Sequence, residues 1–60
     1  MKQLDVLDYA RKLLEAHGDR AEAEAAQKAA ACAAEGETQN AETWRRIRLA
    51  IRELRSAPVS

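Results

Sequence analysis

Three observations predict an all-α chain folded as a small three-helix bundle or a three-helix orthogonal arrangement. Apolar residues recur at helical spacing in the first and last thirds, the middle third is rich in alanine, and glycine stands at both junctions, as Gly18 and Gly36. The 60 residues leave room for one domain, over residues 1–56, followed by a short tail over residues 57–60.

The first helix follows from Asp5, a good N-cap, with Asp8 in the first turn to favour the helix dipole. Val6, Leu7, Ala10, Leu13, Leu14 and His17 then fall within about 120° of one face at 3.6 residues per turn. Gly18 can take the left-handed backbone that ends a helix. Asp19, with Glu22 three residues on, forms a capping-box pattern that restarts the backbone, and so short a break turns the second helix back against the first.

The second helix is expected from about Arg20 to Glu35, a span in which nine residues are alanine, the best helix former. Ala21, Ala25, Ala29 and Cys32 form its clearest apolar line, while Glu24, Gln27, Lys28 and Glu35 gather opposite. This makes it the thin element between two bulkier ones, ended by Gly36.

The third helix begins between Glu37 and Asn40, where Thr38 and Asn40 compete as caps, and runs to about Arg55. Trp44, Ile47, Ala50, Ile51 and Leu54 share its apolar face, with Trp44 as the central core residue. Leu49 projects to the opposite side and is an exposed leucine by the same count. The predicted core is therefore Val6, Leu7, Leu13, Leu14, Trp44, Ile47, Ile51 and Leu54.

Ten basic and ten acidic residues give no net charge, yet the charge is segregated. Residues 19–37 carry two positive and five negative groups, and residues 38–60 carry five and two. Arg45, Arg48, Arg52 and Arg55 run along one side of the third helix. The plainest expectation pairs them with Glu22, Glu24, Glu35 or Glu37 of the neighbouring helix, and Glu42 with Arg45 and Arg46. The alternative is a partner contact through Arg45, Arg48, Leu49, Arg52 and Arg55, with an acidic protein surface favoured over nucleic acid because the whole chain lacks a basic field. A helix-turn-helix assignment fails on the residues. The place six after the turn glycine, apolar in that motif, is Glu42, and the third helix lacks the homeodomain's asparagine and aromatic pattern.

Catalytic and ligand-binding constellations are missing from the sequence. His17 and Cys32 fall at opposite ends of antiparallel helices, too far apart for a nucleophile and its base, and they leave a tetrahedral metal site short of ligands. The two glycines have capping roles and form no phosphate loop. His17 reads as a half-buried residue facing the carbonyl end of its helix, and Cys32 as a small buried hydrophobe. The expectation is a non-enzyme with no cofactor, metal or small-molecule substrate. With no apolar run longer than Ala29–Ala34, no membrane role is expected; the polar start Met1 to Asp5 and the single cysteine lead to a cytoplasmic expectation.

The order His17-Gly18-Asp19, alanines at 21, 25 and 29, Gly36, then Trp44, Ile47, Ala50, Ile51 and Leu54 resembles short uncharacterised helical proteins of alphaproteobacteria, over residues 5–55. That resemblance implies a three-helix unit in a bacterial cytoplasm and brings no activity or site with it. Glu37 departs from the aspartate such sequences place after the second glycine. The functional expectation is association with a protein partner, as a homodimer or an adaptor, and the rival is a small nucleic-acid-binding regulator using the arginine stripe.

Overall fold

The computed structural model describes residues 5–56; the expected tail over 57–60 and the first four residues lie outside the described residues. The described chain is all-α, with α1 over Val6–His17, a single 3₁₀ turn over Gly18–Arg20, α2 over Ala21–Ala34 and α3 over Thr38–Ser56.

Asp5 opens α1 from an extended backbone, φ −82° and ψ 102°, and its side chain accepts the Asp8 N–H at 3.4 Å. This satisfies one of the amide groups that the first helical turn leaves without a partner. Gly18 ends α1 at φ 60° and ψ −130°, a conformation that a side chain at Cα strongly disfavours.

The expected capping box at Asp19 and Glu22 does not form. The residue before α2 is Arg20, already helical at φ −85° and ψ −10°, and it makes no side-chain cap. The Ala21 N–H bonds to the Gly18 carbonyl instead. The 3₁₀ turn feeds helical backbone straight into α2, so the residue next to the helix is not the extended one from which a capping box starts. The two carboxylates turn to Arg55: Asp19 lies 3.6 Å from its guanidinium and Glu22 3.2 Å.

Gly36, at φ 80°, closes α2. The Glu37 N–H donates to the Cys32 carbonyl at 2.8 Å and the Gly36 N–H to Ala33 at 3.1 Å, the paired bonds of a Schellman motif. Neither Thr38 nor Asn40 caps α3, contrary to expectation. Glu37 precedes the helix: its carbonyl accepts the first helical bond, from the Ala41 N–H at 2.9 Å, and its carboxylate accepts from the Asn40 side-chain amide at 2.9 Å. With Glu37 already tied into the preceding turn, the helix starts immediately at Thr38.

Arg55, near the end of α3, meets Asp19 and Glu22 at the start of α2, so these two helices run antiparallel. α1 lies mainly on α3 and touches α2 less. The buried cluster is Ala10, Ala21, Ala25, Ile47 and Ile51, with Val6, Leu13, Leu14, Trp44, Ala50 and Leu54 partly buried against it. Ile47 and Ile51 are the largest fully buried side chains. α2 contributes only alanines to the buried set, Ala21, Ala25 and Ala29.

Two core assignments change. Leu7 is 49% exposed rather than buried. It sits at one edge of the apolar arc in the first turn, and α1, resting chiefly on one neighbour, has less than its full arc covered. Trp44 is partly buried rather than central. It stands where three helices meet, edge-on to Tyr9 with ring centroids 5.8 Å apart and planes at 75°, and the Lys28 ammonium lies 6.0 Å from its ring. Both contacts suit the charge distribution of an aromatic ring.

Candidate interaction surface

α3 carries its four stripe arginines on the flank that faces α2, because Arg45, Arg48, Arg52 and Arg55 fall within about 80° of one another at 3.6 residues per turn. Their surroundings differ. Arg55 is held by Asp19 and Glu22, in contacts at the protein surface that contribute at most about 1 kcal/mol. Arg45, Arg48 and Arg52 form no ion pair among the described residues, so the expected pairing of the whole stripe with Glu24, Glu35, Glu37 and Glu42 is not what the fold provides. Glu24 instead lies 2.8 Å from His17 Nδ1.

Arg45 and Arg48 flank a groove of about 260 Å³ whose remaining lining is Ala26, Ala29, Ala30 and Ala33. The floor exists because alanine side chains stop at Cβ, leaving room between the α2 backbone and the long arginine stems. The groove opens onto the outer side of α2. Counting around that helix, Ala23, Ala26, Ala30, Ala33 and Ala34 occupy an arc of about 100° that contains no charged residue and faces away from the buried line of Ala21, Ala25 and Ala29. This second alanine face escaped the sequence reading, which counted the apolar line and the polar side of α2 but not the sector between them. The signal was present in the same helical wheel. Ala41, also buried, was missed because it stands one turn before the Trp44-led face.

Of the remaining candidates, Leu49 adjoins this surface and the others lie apart from it. Leu49 is 53% exposed and sits beside the arginine stripe on α3. Tyr9 is 37% exposed and belongs to the α1 side of the molecule through Trp44. His17 keeps 44% of its side-chain surface exposed, and it stands beside the Glu24 carboxylate rather than a helix-end carbonyl. Cys32 is a free thiol, partly rather than fully buried, on the inner line of α2. Among the described residues, no three histidine, cysteine, aspartate or glutamate side chains gather to hold a metal, and no helix is long and apolar enough to cross a membrane.

Comparison of the chain with protein-family models, curated proteins and solved structures gives no match.

Proposed function

We propose that this chain is a three-helix bundle that acts without catalysis, by associating through its helix faces, and that its principal partner is a second copy of itself. The observation that supports this is the division of apolar surface. Among the described residues only Ile47 and Ile51 of the large side chains are fully buried, while Leu7, Tyr9 and Leu49 remain exposed and a second alanine face lines the outside of α2. A core this small stabilises a short chain weakly, and a partner that binds only the folded form adds stability by mass action. The proposal includes a cytoplasmic setting, which a solitary thiol suits. Sedimentation equilibrium over a wide concentration range tests it: a reversible monomer–dimer transition is expected, and a strictly monomeric protein would contradict self-association.

A second reading, binding to nucleic acid, draws support from Arg45, Arg48 and Arg52, which no acidic side chain among the described residues neutralises. Phosphate contacts of this kind lose affinity steeply as salt rises, with a logarithmic slope of roughly −0.9 per phosphate on duplex DNA. Absence of binding to duplex or single-stranded probes at low salt removes this reading.

A further inference from the structure

We infer that the second copy docks antiparallel on the outer face of α2, with Arg45 and Arg48 of each copy reaching the Asp19 and Glu22 end of the other. This rests on the self-association proposed above and specifies its surface and direction.

The first support is steric. The groove along Ala26, Ala29, Ala30 and Ala33 has a floor of methyl groups, and the adjoining sector of Ala23, Ala30 and Ala34 carries nothing larger. A helix presenting the same small side chains can therefore approach more closely than the usual 8–10 Å between helix axes. α2 itself is such a helix, so the surface is its own complement, as a two-fold contact requires.

The second support is charge. Arg45 and Arg48 border the C-terminal half of α2, beside Ala29, Ala30 and Ala33. Asp19 and Glu22 border its N-terminal end on the same flank, where both contact Arg55. An antiparallel two-fold places one copy's C-terminal half against the other's N-terminal half with like flanks on the same side. Two arginines without ion-pair partners among the described residues then come level with two carboxylates, twice over. A parallel pairing would instead set the acidic first turns, with Glu22 and Glu24, beside their own copies and align the two helix dipoles.

The third consideration is size. α2 has 14 residues and is thus about 21 Å long. If each copy contributes a tenth of its 4561 Å² surface, the contact falls near the lower bound of about 1,000 Å² for specific interfaces. A contact of that size belongs with the weak, transient interfaces.

Sedimentation equilibrium on the intact chain and three variants tests the inference, with circular dichroism confirming that each remains helical. Ala30→Glu puts a charge in the middle of the outer face and should raise the dimer dissociation constant about 100-fold or more, since like charges are brought together across the two-fold. Arg45→Glu with Arg48→Glu should weaken it at least about 10-fold. Ala31→Glu, on exposed surface outside the alanine sector, should leave it unchanged. If the native chain dimerises and Ala30→Glu dimerises equally well, this docking surface is wrong while self-association stands. If Ala30→Glu abolishes the dimer but reversal of both arginines does not weaken it, the antiparallel charge register is wrong. If the native chain is monomeric at every concentration, both readings fall; binding of an acidic helical peptide by that monomer would assign the groove to a different partner.

Discussion

Truncation of Ile51 to alanine should come close to unfolding this protein. Ile51 is fully buried between α3 and its neighbours, one of two large side chains so enclosed among the described residues, and apart from Ile47 the buried cluster around it is alanine, Ala10, Ala21 and Ala25, with little side-chain volume to fill the space left behind. Removing an enclosed isoleucine's outer carbons costs about 2–5 kcal/mol, the upper part of the range applying where the site cannot collapse. A chain of 60 residues has a total stability of about 3–9 kcal/mol. The loss of roughly 3–4 kcal/mol expected here is therefore comparable with the whole. In urea titrations followed by circular dichroism, a slope of about 1 kcal/mol/M moves the midpoint down by about 3 M. Leu49→Ala is the paired control: at 53% exposure it should change stability by no more than about 0.5 kcal/mol. Both proteins are to be compared with the parent at one low concentration, so that dimerisation does not enter the difference. An Ile51→Ala protein within about 1 kcal/mol of the parent, or a Leu49→Ala protein equally destabilised, would refute the packing described here.

Further outcomes follow from the breaks and the surface pairs. At Gly18 an added Cβ meets nothing within 4 Å, so Gly18→Ala should cost only backbone strain, about 1–3 kcal/mol in thermal or urea unfolding. The chain is short enough for chemical synthesis, and D-alanine at position 18 should remove that cost, because φ 60° and ψ −130° is the mirror image of ordinary polyproline-like backbone; equal loss from both enantiomers would contradict the conformation of this break. Arg55→Ala should lower stability by about 1 kcal/mol or less, and the difference should shrink in high salt, since its pairs with Asp19 and Glu22 are solvent-exposed. Tyr9→Leu, which keeps an apolar side chain but loses the edge-on contact with Trp44, should cost about 0.5–1.5 kcal/mol, and no loss would show that the ring geometry contributes nothing.

The helical segments are legible in the sequence because their signals are local. Glycine at 18 and 36, the Asp5 cap and the run of alanines each act within a turn or two of backbone, and the helix boundaries follow them closely. What the sequence hides depends on neighbours. The capping box at Asp19 and Glu22 is a sound local motif, but Arg55, distant in sequence, draws both carboxylates while the 3₁₀ turn removes the need for a cap. Leu7 fits the apolar arc of α1 as well as Leu14 does, and only the placement of α1 chiefly on α3 decides which edge is covered. The arginine stripe was visible from spacing alone. That three of its members lack acidic partners among the described residues, and that two border an alanine groove, depends on the spacing between α2 and α3. The second alanine face lies within the same helical periodicity, but with alanine on most sides of α2 only the packing of α1 and α3 decides which of them is left outward.

The thermal midpoint of the native chain as a function of its own concentration tests most directly whether a second copy supports this small core. From about 1 μM to 1 mM the midpoint should climb by several degrees, because a ligand that binds only the folded state adds stability as its concentration exceeds the dissociation constant. A midpoint that stays constant across that range would contradict the account.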